Sequence, residues 1–197
     1  GPSVLPEPVL ESTSKAVLNF AGTGMSIMEV SHRSKQFDAL LVETVDLLKE
    51  IMEIPDNYKV LFLQGGASLQ FAMIPMNLLH AGKVADYIDT GYFAARAIKE
   101  AKLIGKVNVA ASTKDVSYTR LPKPDEIKLT SDAAYCHITS NNTIYGTQWQ
   151  TFPDTGSVPL VADMSSEIMG RKIDVSKFGI IYAGAQKNMG PAGVTCV

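Results

Sequence analysis

Short apolar runs, each followed by glycine or polar positions and then by a helical pattern, restrict this chain to very few architectures. Val60-Leu61-Phe62-Leu63, Val84-Ala85-Asp86-Tyr87-Ile88, Val107-Asn108-Val109-Ala110-Ala111 and Tyr135-Cys136-His137-Ile138-Thr139 come first. Pro159-Leu160-Val161-Ala162-Asp163, Gly179-Ile180-Ile181-Tyr182-Ala183 and Val194-Thr195-Cys196-Val197 follow. Runs this short and apolar read as strands covered on both faces. Between them apolar residues recur at helical spacing: Phe37, Leu40, Leu41, Val45, Leu48, Ile51 and Met52 within 34–54, then Leu69 to Leu79, then Phe93 to Leu103. Pro55-Asp56-Asn57 closes the first of these helices in a turn. Leu5-Pro6-Glu7-Pro8 starts a short helix, and Ala21 to Ser26 is a glycine-punctuated loop. Lys114 to Thr130 is polar and carries Pro122 and Pro124, so a surface excursion is expected. Strands alternating with helices predict an α/β fold, a mostly parallel sheet flanked by helices. Ligands in such sheets bind beyond the carboxyl ends of the strands.

Composition narrows the function. With 197 residues and 46% hydrophobic content the chain can bury a substantial core. Lys and Arg number 18 against 20 Asp and Glu, with no basic stripe, which speaks against nucleic acid as a partner. No apolar run reaches the roughly 18 residues of a membrane span, and the opening Gly1-Pro2-Ser3-Val4-Leu5 has no signal-peptide pattern. Cys136 and Cys196 stand in apolar contexts and read as reduced core thiols of a cytoplasmic protein. His80 and His137 have no partner at metal-ligand spacing, so no metal is expected. Asn141-Asn142-Thr143 fits a glycosylation sequon, read as incidental without a secretory signal. The last strand-like residues have no polar tail, so the chain is expected to stop inside a larger domain.

The positions after the strands hold the chemistry. Gly65-Gly66-Ala67-Ser68 lies between a strand and a helix, where small residues let backbone N–H groups approach a phosphate. A tight turn explains the same glycines, and no Walker lysine follows them. Asp163 ends a very apolar strand, either as a cap for Met164-Ser165-Ser166 or as a carboxylate awaiting a cation. Lys187 ends another such stretch, among Gly184, Ala185, Gly190 and Ala192. A partly desolvated lysine loses basicity and becomes an amine nucleophile toward carbonyls; a lysine that snorkels to water is the alternative. Together Lys187 and Asp163 match what pyridoxal phosphate demands, an amine for its aldehyde and an acid for its ring nitrogen.

The block Ala183-Gly184-Ala185-Gln186-Lys187-Asn188-Met189-Gly190-Pro191-Ala192-Gly193 resembles the lysine motif of the phosphoserine aminotransferase family. So do Gly24 to Arg33, Leu63-Gln64-Gly65-Gly66-Ala67-Ser68-Leu69-Gln70-Phe71, Thr90-Gly91-Tyr92-Phe93 and Asn141-Asn142-Thr143-Ile144-Tyr145-Gly146, in the family's order. The resemblance implies a class V, fold-type I enzyme using pyridoxal 5′-phosphate. Such an enzyme exchanges an amino group between glutamate and 3-phosphohydroxypyruvate in serine biosynthesis, and in many bacteria serves pyridoxine biosynthesis too. It implies that residues 1–197 hold most of the large cofactor-binding domain, with 1–20 leading into it and a small C-terminal domain missing. It further implies a homodimer with shared active sites.

Position by position, the resemblance makes Lys187 the Schiff-base lysine and Asp163 the partner of the pyridine nitrogen. Ala67, Ser68 and Gln186 fall on the phosphate side, Thr143 near the ring hydroxyl, and Phe93 at the stacking position. His32 and Arg33 match residues that hold the substrate's acidic groups, a task that suits the guanidinium fork; a capping or core histidine and a solvated arginine are the plainer readings. Two positions depart from many members: Phe93 stands where they carry Trp, and Ser68 where some carry Arg. An aromatic face survives the first change; the second leaves substrate phosphate to Arg33, His32 and residues elsewhere. Another class V enzyme, of the alanine–glyoxylate aminotransferase or cysteine desulfurase type, and a catalytically silent fragment are the alternatives.

Overall fold

The computed structural model describes residues 2–197 and centres on a seven-stranded sheet. In chain order the sheet strands are β1 (Phe62–Leu63), β2 (Val84–Asp89), β3 (Lys106–Ser112) and β4 (Tyr135–Thr139). A small hairpin, β5 (Asn141–Asn142) and β6 (Thr147–Gln148), then precedes β7 (Leu160–Asp163), β8 (Ile180–Gly184) and β9 (Thr195–Cys196). Across the sheet the order is β1-β9-β8-β7-β4-β2-β3. Neighbours from β8 to β3 run parallel, while β9 pairs antiparallel with both β8 and β1. The expected α/β architecture is therefore present, and the last strand lies inside the sheet.

Alternation along the strands builds two cores. Leu160 and Ala162 pack on one face with Cys136, Ile138, Met164 and Phe178. Val161 packs on the other with Tyr87, Tyr135 and Tyr182, beneath Phe71 and Ile74 of α3 (Gly66–Leu78) and Ala97, Ile98 and Ala101 of α4 (Tyr92–Ile104). Two more helices come earlier, α1 (Glu7–Leu18) and α2 (Lys35–Met52). Ser34 caps α2, its hydroxyl accepting from Phe37 N at 3.2 Å, and Glu53 ends it in a left-handed conformation. Only Leu48 of α2 is buried; Leu40, Leu41, Val42, Leu47 and Ile51 stay exposed. No helix among the described residues is long and apolar enough to cross a membrane.

Three local expectations need correction. Lys114 to Thr130 is not a plain surface excursion: Leu121, Ile127 and Leu129 pack against the core, and Lys128 N donates to Ala110 O at 2.7 Å. The segment covers the free edge of β3 at a register shift, which an unpaired sheet edge requires. Lys187 does not end β8; the strand stops at Gly184 and the lysine sits in the turn that follows. Ala192, placed beside it by sequence, is exposed. The β5–β6 hairpin had no signal beyond its block of asparagines. Asn142 organises it, taking a hydrogen bond from Thr90 Oγ1 at 3.0 Å and donating to Thr147. Gly91 makes room, since a Cβ there would lie 2.9 Å from the Tyr145 ring.

That hairpin is fastened to the turn after β7 through a buried ion pair. Glu167 accepts from Arg171 Nε at 2.6 Å and from Gln148 Nε2 of β6 at 3.2 Å. The Arg171 guanidinium also donates to Trp149 O and lies over the Phe152 ring at 5.3 Å. Glu167 is only 2% exposed, so removing its cation leaves a charge stranded in the interior. Arg171→Ala should lower unfolding free energy by about 3–5 kcal/mol in urea titrations. The equivalent change at Arg120, whose partner Glu126 is solvent-facing, should cost far less. Equal losses at the two sites would contradict the buried clamp.

Candidate active site

The carboxyl ends of β4, β7 and β8 and the N-terminus of α3 meet around a cleft of about 330 Å³. Every residue that sequence placed on the cofactor side lines it: Ala67, Ser68, Phe93, Thr143, Asp163, Gln186 and Lys187. His32 and Arg33 do not. They sit exposed on a turn before α2, outside the cleft wall. A larger hollow of about 460 Å³ lies near the end of α2 and β9, walled by apolar residues such as Leu61, Ile168 and Ile181. Tyr58, Lys59 and Cys196 reach it, but no Asp, Glu or His is among its lining residues.

Asp163 is buried, 4% exposed, yet half of its hydrogen-bonding capacity is unused. Oδ1 accepts from Ser165 N at 3.0 Å and from Ser165 Oγ at 2.7 Å. Among the described residues no hydrogen bond reaches Oδ2. The capping and the charge-partner readings of this residue are thus both present in one side chain, one oxygen for each. Burial raises its carboxyl above the ordinary range, against the opposing pull of Ser165 and Lys187. Beneath it Tyr182, the register partner of Asp163, bonds His137 Nε2 at 2.8 Å. Burial pushes His137 down to about 3, so it is a neutral core histidine.

Lys187 is half-buried, and burial lowers its ammonium below the ordinary lysine range while the Asp163 charge opposes that shift. Its Nζ donates to Thr143 Oγ1 at 2.9 Å and forms no ion pair with Asp163. The β5–β6 hairpin delivers Thr143 to the cleft, so the unpredicted element turns out to serve the site. On the opposite wall, the turn Gly65-Gly66 has φ of 88° and 64°, conformations open to glycine. Leu69 N is the first amide of α3 bonded back along the chain; those of Gly66, Ala67 and Ser68 have no backbone acceptor. Gln186 is pressed against Gly184, where a Cβ would meet Gln186 Oε1 at 2.5 Å.

Sequence reasoning missed several cleft residues, among them Thr139, Asn141, Ser165 and Ser166. Thr139 lies in register with Asp163, and its hydroxyl is buried without a partner. The signal available was position: each stands at or just after the end of a strand.

The raised Asp163 carboxyl has a consequence for folding. The folded chain holds that proton more tightly than the unfolded chain, so stability is lost as pH rises from the ordinary 3.8 through the raised value. At neutral pH the carboxylate therefore works against the cofactor-free fold. Asp163→Asn keeps the shape and removes the charge. Its unfolding midpoint should exceed that of the wild type at neutral pH, and the gain should disappear below pH 3.8. A lower midpoint at neutral pH would refute this account.

The Aminotransferase class-V family profile matches residues 1–197. Phosphoserine aminotransferase of Desulfosudis oleivorans is 61% identical over 198 residues, covering 100% of this chain and 54% of the relative. The solved phosphoserine aminotransferase of Bacillus circulans subsp. alkalophilus superposes with a TM-score of 0.96 at 54% identity, over 100% of this chain and 54% of its own. The pyridoxal-phosphate-bound phosphoserine aminotransferase of Trichomonas vaginalis gives 0.93 at 38% identity, over 100% and 55%. The chain spans about half the length of the curated relatives it matches.

Proposed function

The chain belongs to the class-V aminotransferase family, and on that premise we propose that its cleft takes pyridoxal 5′-phosphate for phosphoserine transamination. Glutamate would give its amino group to 3-phosphohydroxypyruvate, yielding 2-oxoglutarate and O-phosphoserine. The observation that carries the reading is the opening of Lys187 and Asp163 into one cleft, opposite a helix N-terminus with unpaired amides. The residues present fit the cofactor. Asp163 leaves Oδ2 for a ring N–H, and the Gly66, Ala67 and Ser68 amides suit a phosphate beside the positive end of α3. Phe93 offers an aromatic face, and Lys187 an amine for the aldehyde.

Pyridoxal phosphate, when bound, would supply an electron sink for α-proton removal. The protein's own groups do the rest. Asp163 would keep the ring nitrogen protonated by holding a buried negative charge beside it. Lys187, made less basic by burial, has a larger neutral fraction near neutral pH and can take and return a proton. Thr143 offers its oxygen to the same region, and Gln186 a further contact on the phosphate side. We assign His32 and Arg33 to the substrate's acidic groups on the strength of the Ser31-His32-Arg33 block, although the cleft itself does not include them.

The finer points belong to the same proposal. Residues 1–197 would form most of a cofactor-binding domain, with 1–20 leading into it. The apolar side chains that α2 leaves exposed support a homodimer. Free buried thiols at Cys136 and Cys196 accord with the cytoplasm.

Two measurements test the reading. Borohydride reduction of protein saturated with pyridoxal phosphate should add one pyridoxyl phosphate to the intact mass, and Lys187→Ala should show no such addition. Turnover of glutamate with 3-phosphohydroxypyruvate should exceed that of alanine with glyoxylate, and should fall at least about a hundredfold in Lys187→Ala. A mass unchanged in the wild type, or a preference for glyoxylate, overturns the assignment.

A further inference from the structure

The two serines after β7 make hydrogen bonds that fix, by elimination, how the polar groups of the cleft face a ligand. Ser165 Oγ accepts from Gly184 N at 3.0 Å, and its single proton goes to Asp163 Oδ1 at 2.7 Å. With Ser165 N also donating to that oxygen, the carboxylate is clamped on one side and Oδ2 is turned free. Ser166 Oγ donates to Asn141 O at 2.9 Å, a bond whose direction is certain because a carbonyl only accepts. The 2.9 Å contact between Thr143 Oγ1 and Ser166 Oγ must then use the threonine's proton. Thr143 is left with lone pairs only toward Lys187, which donates to it.

We propose that Ser165 and Ser166 are positioning residues: Ser165 holds Asp163 as an oriented carboxylate, and Ser166 holds Thr143 as an acceptor facing Lys187. The functional meaning rests on the cofactor reading above; the hydrogen-bond assignment stands on the geometry alone. One turn thereby sets both ends of the cleft. At the Asp163 end it presents a negative charge to a ring N–H. At the Lys187 end it presents an oxygen that favours a proton-bearing partner, an ammonium or a protonated hydroxyl, over a bare lone pair.

The environment leaves little else to do this work. Facing Asp163 are Lys187 from the turn after β8 and Tyr182 from β8, with Tyr87 of β2 and Tyr135 of β4 behind it. His137 of β4 is neutral and bonded to Tyr182. No residue of α3 is charged, and Arg96 of α4 lies over the Phe71 ring. None of these groups hydrogen-bonds the carboxylate, and Ser165 does.

The test follows both arms by titrating carbon-13-labelled Asp and Lys side chains in the cofactor-free protein by NMR, alongside pyridoxal phosphate affinity. A hydrogen bond to a charged group is lost in Ser165→Ala, so the proton affinity of Asp163 should rise about tenfold, one pH unit. Pyridoxal phosphate affinity should fall because the carboxylate is no longer held with Oδ2 toward the ligand, and Ser165→Thr should restore both. If Ser165→Ala fails to fold, Ser165→Cys, a weak donor of similar size, makes the same comparison. Ser166→Ala should leave the Asp163 titration in place and move that of Lys187 downward, because the freed Thr143 proton can then stabilise the neutral amine. An Asp163 midpoint unmoved in folded Ser165→Ala, or a Lys187 midpoint unmoved in Ser166→Ala, overturns the corresponding arm. Wild-type protein that takes up no pyridoxal phosphate defeats the function proposed above, while the titrations still decide the serine assignment.

Discussion

A carboxylate held at the end of a buried strand governs the arrangement of this molecule's working edge. Asp163 closes β7, whose residues are all buried. Removing a charge of this kind from water costs several kcal/mol unless donors or a cation meet it. The chain supplies two donors from Ser165 and an ammonium at longer range from Lys187, and stops short of full satisfaction. An incompletely satisfied charge persists only where its surroundings force it, and here the sheet does so: β4 on one side and β8 on the other fix the register. The remaining features of the cleft can be derived from that one placement. Ser165 must fold back, Gly184 must offer its N–H, and the next turn must bring a cation within range.

Parallel topology explains why these parts converge. With β4, β7 and β8 pointing the same way, their carboxyl ends release chain into one shared region, and Thr139, Asp163 and the turn bearing Lys187 emerge together. The start of α3 reaches the same cleft from the turn after β1, so its unpaired amides face the charged pair. Positive potential from a helix start and negative charge from Asp163 then line one small cleft. A ligand with a phosphate at one end and a protonated ring nitrogen at the other matches that polarity.

Much of this was legible in the residues because the informative side chains were out of place by composition. An aspartate after Pro159-Leu160-Val161-Ala162 and a lysine after a glycine- and alanine-rich strand are costly unless used, and the cost is visible without coordinates. The helix over 34–54 was legible because the apolar period marked it and Pro55-Asp56-Asn57 closed it. Ser165 and Ser166 were not, since a hydroxyl in a turn has no such cost and its function lies wholly in direction. The β5–β6 hairpin escaped because two-residue strands carry no period; what holds it is Asn142 reaching Thr90 across a distance in sequence that no local pattern encodes. Leu121, Ile127 and Leu129 were hidden by their polar neighbours, and their burial reflects the edge of β3, a tertiary demand. His32 and Arg33 illustrate the opposite limit: a motif names them, while the geometry of the cleft does not include them.

Two acids four positions apart on this turn show how environment divides structural from functional charge. Glu167 is more buried than Asp163, but Arg171 and Gln148 both meet one of its oxygens, and its partners tie the hairpin to the turn. Asp163 has no such cation in contact, and the nearest one, Lys187, is drawn aside to Thr143. The first carboxylate therefore uses Oε1 in holding the site together, with Oε2 buried and unpartnered, while the second opens into the cleft. The firmness of the first makes the exposure of the second tolerable: a turn anchored by Glu167 and Arg171 cannot easily shift to let Asp163 find a better partner. What the local structure gives up in stability at Asp163 it retains as a fixed, oriented charge.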